Sequence, residues 1–180
     1  MSERTIRIPT TGNITRRLAI TRTALAFGCI SVVPARLSAQ TAMQKPDQAD
    51  NSKRTSIHYE IVFTAIPQRI YDVLLDAKQF SVCTGMAAEI DSKEGGAFSL
   101  FRGMVVGRNV ELVPGRRVVQ AWRPSHWDEG VYSIVRFELK PQGTGTLLVF
   151  DHTGFPEGEY HSLDTGWPTH YWDRIKKFLA

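Results

Sequence analysis

The sequence predicts an α+β domain: a curved antiparallel sheet of about seven strands around a long C-terminal helix, with two short helices after the first strand. Three observations predict it. From Ile57 to Thr153, short alternating apolar segments recur, separated by turns rich in Gly and Pro. Only one stretch in that region, after the first strand, has a helical pattern. At the end of the chain, Leu163, Trp167, Tyr171, Ile175 and Phe178 recur at three- and four-residue steps, which puts five large apolar side chains on one helix stripe. Burying that stripe is worth about 1.5–3 kcal/mol per large side chain, so it needs a broad apolar partner, and a sheet supplies one.

The chain has 180 residues and a net charge of +4, unevenly spread. Residues 1–39 hold Arg4, Arg7, Arg16, Arg17, Arg22 and Arg36 against Glu3. The remainder is close to neutral and has no basic cluster interleaved with aromatics, so nucleic acid is not an expected partner. The leader reads as an export signal. A basic segment precedes the apolar run Ala24–Val33, too short to span a bilayer and right for a signal core. Pro34 ends the run, and small residues follow to Ala39, the expected cleavage site, with Ala35 or Ala42 as alternatives. Thr15-Arg-Arg-Leu-Ala-Ile20 is similar to a twin-arginine signal, with Ala19 where Phe is common. The expected location is periplasmic or secreted, or cytoplasmic if the leader does not function. After cleavage no transmembrane anchor is expected, and only Cys83 remains. No intrachain disulfide can then form, and Cys83 reads as a small buried hydrophobe.

Residues 40–55 are polar, contain Pro46 and have no apolar period, so they read as a flexible linker. The domain then runs over 56–180. Ile57, Tyr59, Ile61 and Phe63 alternate with more polar neighbours, a half-buried strand. Pro67 opens a helix at its first turn, with Ile70, Val73 and Leu74 on its apolar face. A second short helix, around Asp76 to Val82, carries Phe80. Strands are expected over Met86–Asp91, Ala97–Arg102, Met104–Val113, Arg117–Arg123, Val131–Lys140 and Thr146–Thr153. The connections Lys93–Gly96, Pro114-Gly115, Pro124–Gly130 and Pro141–Gly145 carry turn signals. Alternation places Phe98 and Leu100 on one face with Phe101 on the other. It also separates Val118, Gln120 and Trp122 from Val119, Ala121 and Arg123. Pro168 suits the first turn of the last helix, with Asp164 or Thr165 as N-cap. A helix that starts earlier, near Glu157, should be kinked there.

Several short motifs fall in order. Gly107-Arg-Asn-Val-Glu-Leu-Val-Pro114 is followed by Trp122-Arg123, Gly145-Thr-Leu-Leu148, Gly154-Phe-Pro156 and Gly166-Trp167. Together they resemble the activator of heat shock protein 90 ATPase homologue-like branch of the START-like (SRPBCC) superfamily, over about residues 56–179. The resemblance implies the helix-grip fold, with a cavity between sheet and C-terminal helix. It also brings a protein-partner alternative, since in eukaryotes this domain type forms the C-terminal part of a cytosolic co-chaperone. An export leader where such a co-chaperone carries a separate N-terminal domain points away from that role.

The expected function is therefore binding of a small apolar or amphipathic molecule in that cavity. The candidate ligand-binding residues are Phe80, Phe98, Trp122, Trp127, His152, Phe155, Trp167 and Tyr171. Aromatic side chains crowd the region around the helix, and apolar walls are the usual form of a small-molecule site. The five histidines lack metal-ligand spacing, and no metal or redox cofactor is expected. Asp151, His152 and Glu157 could form a general acid–base group. A hydrolase- or lyase-type enzyme is thus a further alternative, but no nucleophile elbow, phosphate loop or dinucleotide fingerprint supports it, and no catalytic residue is assigned.

Overall fold

The computed structural model describes residues 51–180. The expected leader and most of the expected linker lie outside them. Seven antiparallel strands form one sheet: β1 (Ser56–Phe63), β2 (Glu89–Ile90), β3 (Ala97–Leu100), β4 (Val105–Val113), β5 (Arg117–Pro124), β6 (Ser133–Gln142) and β7 (Gly145–Thr153). Their spatial order is β1-β7-β6-β5-β4-β3-β2, so β2 to β7 form a meander and β1 closes on β7. The register of β1 on β7 runs from Ser56 opposite Thr153 to Phe63 opposite Thr146. One face of the sheet is the core. Val118, Gln120 and Trp122 of β5, and Ser133, Val135, Phe137 and Leu139 of β6, are buried on alternate positions, as the two-residue period requires.

Both short helices follow β1. In α1 (Pro67–Leu75), Pro67 stands at the first turn, where its missing N–H costs nothing. In α2 (Ala77–Thr84), the Asp76 carboxylate accepts the Gln79 N–H at 2.8 Å, and Gly85 ends the helix in the left-handed conformation. The strand expected over Met86–Asp91 shrinks to Glu89–Ile90. The α2 side chains Ser81 and Thr84 already take the backbone N–H groups of Ala88 and Met86, leaving fewer donors for a ladder. Conversely β6 runs through Pro141, expected in the turn. Pro141 lies past the last residue that β5 pairs, Glu138, so β6 has a neighbour on one side only, a setting in which a sheet tolerates Pro.

The C-terminal helix starts early and carries its proline inside. It consists of α3 (Tyr160–Trp167), a π-helical turn over Pro168–Trp172, and α4 (Asp173–Leu179). Asp164 and Thr165 are therefore not caps. Pro168 has no N–H for the Asp164 carbonyl four residues back; the single hydroxyl proton of Tyr59, reaching over from β1, is shared between that carbonyl at 2.9 Å and the Asp164 carboxylate at 2.5 Å. The widened turn closes with the Asp173 N–H on the Pro168 carbonyl, five residues back. Its extra residue turns both Tyr171 and Trp172 inward, at 3% and 4% exposure. The expected stripe is buried at Leu163, Trp167, Tyr171 and Ile175 and half-buried at Phe178. Residues 51–55, assigned by sequence to the linker, are ordered against α3. Arg54 stacks 4.1 Å above the Tyr160 ring, and the Gly158 and Gly154 N–H groups donate to the carbonyls of Ser52 and Thr55.

Candidate ligand cavity

A cavity of about 240 Å³ lies between the C-terminal helix and the β3–β5 part of the sheet. Strand β5 contributes Trp122 and Pro124, and β4 contributes Val105. The helix contributes Leu163, Trp167 and Tyr171 on its buried stripe, and Ser162, Gly166 and His170 one residue earlier in each turn. Phe101 and Met104 come from the β3–β4 turn, and His126 from the loop after β5. The floor is apolar, while the exposed Met104, His126, Ser162 and His170 sit at the mouth.

Phe101 is the wall residue that alternation places wrongly. Phe101, Arg102 and Gly103 have φ of 53°, 58° and 86°, three successive left-handed residues, and an aromatic side chain in that region costs about 1–2 kcal/mol. This turn swings Phe101 back to the core face, where it is 5% exposed. There it meets Phe80 and Tyr171 edge-on, each with centroids 5.4 Å apart, and His170 at 6.0 Å. These contacts offset the backbone strain.

Of the eight candidate ligand-binding residues, Trp122, Trp167 and Tyr171 line the cavity. The others are buried behind it. Phe80 backs Phe101 and Tyr171, and Trp127 stands edge-on to Trp122 at 6.4 Å. His152 backs Trp122 and Trp167, and Phe155 packs on His152. Phe98 lies across Gly107, where a Cβ would overlap its ring and the Ala121 carbonyl.

His152 belongs to a buried hydrogen-bond chain that spans three strands and the helix. The Trp167 indole can only donate, and it does so to His152 Nδ1 at 3.0 Å. The proton of the neutral ring is therefore on Nε2, which donates to Ser133 Oγ at 2.7 Å. The Ser133 hydroxyl in turn donates to the Trp122 carbonyl at 3.0 Å. Burial pushes the His152 pKa down to about 3, so the ring stays neutral. In this arrangement Nε2 cannot take a proton from Ser133, and the pair does not form an activated nucleophile. Asp151, the next residue on β7, faces the other side of the sheet and accepts from His58 at 2.7 Å and Arg136 at 2.6 Å. Glu157 is exposed. The three candidate acid–base residues therefore do not converge.

Two wall residues carry buried polar atoms that make no hydrogen bond of good geometry among the described residues, Trp122 Nε1 and Tyr171 Oη, and the indole N–H lies beside the phenol oxygen. Burial raises the Tyr171 pKa well above the usual phenol value, an effect the Trp122 indole partly offsets, so the phenol remains a donor. Among the described residues, no group of three His, Cys, Asp or Glu is placed to hold a metal ion. No described helix is long and apolar enough to cross a membrane.

The profile of the family described as Activator of Hsp90 ATPase homolog 1-like protein matches residues 64–180. The chain belongs to this family. An activator of 90 kDa heat shock protein ATPase homolog from Dictyostelium discoideum is 34% identical over 115 residues, covering 63% of this chain and 30% of that protein. The human homolog 1 is 27% identical over 115 residues, covering 64% of this chain and 34% of that protein. The chain thus spans about a third of the length of these relatives. An HSP90 activator from Plasmodium falciparum has a solved structure that superimposes with a TM-score of 0.67 at 27% identity, covering 70% of this chain and 96% of that one. The Aha1 dimer from Colwellia psychrerythraea shares the fold, with a TM-score of 0.61 at 18% identity over 70% of this chain and 96% of that one.

Membership in the Activator of Hsp90 ATPase homolog 1-like family accords with the work its motif residues do here. Gly107 lets Phe98 cross β4, Glu111 pairs with Arg117 at 3.1 Å, and Trp167 ties the helix to His152.

Proposed function

We propose that this domain binds a small apolar or amphipathic molecule between its sheet and C-terminal helix, and that it does so after export from the cytoplasm. One observation carries the binding half: the aromatic-walled cavity of about 240 Å³ that the helix stripe shares with β4 and β5. Its chemistry suits such a guest, with an apolar floor and a few polar groups at the mouth. The export half is supported by the arginine pair, the short apolar run and the change of charge at residue 39.

Native mass spectrometry of freshly purified mature protein, followed by a thermal-shift screen of lipids, sterols and aromatics, tests the binding half. A bound small molecule, or a stabiliser worth about 2.7 kcal/mol at 100 times its Kd, is the expected result. A second reading rests on the family and on relatives named as activators of an Hsp90 ATPase: the domain docks on a chaperone and raises its ATPase rate. A domain that no small molecule stabilises, but that accelerates an Hsp90 ATPase, would establish the second reading over the first.

A further inference from the structure

Gly166 has no conformational or steric reason to be glycine. It lies inside α3, one residue before its end, with ordinary helical backbone rather than the positive φ found at eight other glycines. A Cβ built there would meet nothing closer than the His170 ring, at 3.9 Å. The contrast with Gly107 and Gly145 is plain, since a Cβ at either would run into neighbouring backbone. Glycine is among the poorest helix formers, and alanine at such a site strengthens a helix. What the missing side chain does leave is space: Gly166 lines the cavity, at its mouth, between Ser162 and His170 on the same helix row.

Resting on the cavity-binding reading above, we propose that Gly166 sets the aperture of the cavity, and that the guest is a compact amphipathic molecule of about ten non-hydrogen atoms. The size follows from volume. An apolar cavity of about 150 Å³ holds benzene; one of about 240 Å³ holds a medium-length acyl chain or a bicyclic aromatic, but not a sterol or a long-chain lipid. The polarity follows from the lining. Leu163, Trp167 and Tyr171 surround the inner end, and the polar side chains of His126, Ser162 and His170 gather at the mouth. An apolar body therefore points inward, with a hydrogen-bonding head group at the opening.

The experiment uses octanoate and palmitate as probes, with thermal shift and titration calorimetry on the folded domain and on Gly166→Ala and Gly166→Leu. Octanoate should stabilise the wild-type protein, and palmitate should bind at least tenfold more weakly. Gly166→Ala should raise the melting temperature of the unliganded protein by about 4 °C. Gly166→Leu should melt no lower than wild type yet lose octanoate affinity at least tenfold. If Gly166→Leu binds octanoate like wild type, or Gly166→Ala melts lower, the aperture role is overturned while the cavity reading stands. Palmitate binding as tightly as octanoate overturns the size assignment alone. If neither probe binds, and nothing in the broader screen does, the cavity reading itself fails and the aperture role with it.

Discussion

His152 illustrates what one residue contributes through its protonation state. Its ring is fully buried and neutral, accepting from Trp167 and donating to Ser133. In the unfolded chain it titrates near the ordinary value of 6.5, whereas in the fold its pKa lies at about 3. Between these values the unfolded state holds a proton that the native state does not. The stability due to this group is therefore complete above about pH 6.5 and is lost as pH falls toward 3, with a slope of up to about 1.4 kcal/mol per pH unit. His152→Asn keeps an acceptor for the Trp167 indole but cannot titrate. It should cost about 1–3 kcal/mol at neutral pH, from the lost bond to Ser133, and the difference from wild type should shrink as pH falls. Urea unfolding of both proteins at several pH values between about 7.5 and 4.5 measures this; parallel slopes would show that the ring is not the titrating group. Alternation along β7 makes the inward position of His152 legible in the sequence, but its tautomer depends on Trp167, which only the fold brings there. Phe101 went the other way. Its alternation is clear and misleading, because Phe101 itself and its neighbour Arg102 adopt positive φ, a choice no local pattern announces.

Among the elements, the C-terminal helix was the most legible and the most instructive where it departed. A regular 3.6-residue period finds Leu163, Trp167, Tyr171 and Ile175, all buried. It leaves out Trp172, because the π turn inserts a residue after Pro168 and brings the neighbour of Tyr171 inward as well. It also leaves out the row Ser162, Gly166 and His170, which keeps a strict four-residue spacing and lines the cavity; polar and small residues carry no apolar signal. The turn is tied to β1 by Tyr59, whose hydroxyl proton is shared between the carbonyl that Pro168 orphans and the carboxylate of the same Asp164. Tyr59→Phe should therefore destabilise the domain by about 1 kcal/mol. With Pro168→Ala in the background, the new N–H can serve the Asp164 carbonyl, and the same change should cost less. A double-mutant cycle read by chemical denaturation gives the coupling, expected at about 0.5 kcal/mol or more. Strict additivity would mean that the hydroxyl serves the Asp164 carboxylate alone and is not substituting for the missing N–H.

At the scale of the molecule, the meander from β2 to β7 was readable because Gly and Pro mark its turns, whereas the pairing of β1 with β7 joins residues as far apart as Ser56 and Thr153 and leaves no local trace. The cavity has the same difficulty: its wall combines 101–105, 122–126 and 162–171, so sequence alone finds aromatic candidates without separating the wall residues Trp122, Trp167 and Tyr171 from the packing behind them. Export is the whole-chain property that sequence does address. The net positive charge resides in residues 1–39, and beyond them Cys83 is the one cysteine in the sequence. Cys83 is buried, and burial pushes its thiol pKa up to about 11, so it is a poor nucleophile at neutral pH. A domain that needs no disulfide can complete its sheet in a reducing cytoplasm, which is what a route that carries folded proteins demands. Wild-type protein should therefore be recovered outside the cytoplasm with a mass that starts near Gln40. Replacing Arg16 and Arg17 together by Lys keeps the charge but removes the pair, and should leave full-length, folded protein in the cytoplasm. Cell fractionation with intact-mass spectrometry reads both. An intact N-terminus on cytoplasmic wild-type protein would remove the export reading, and with it the main argument against a chaperone partner.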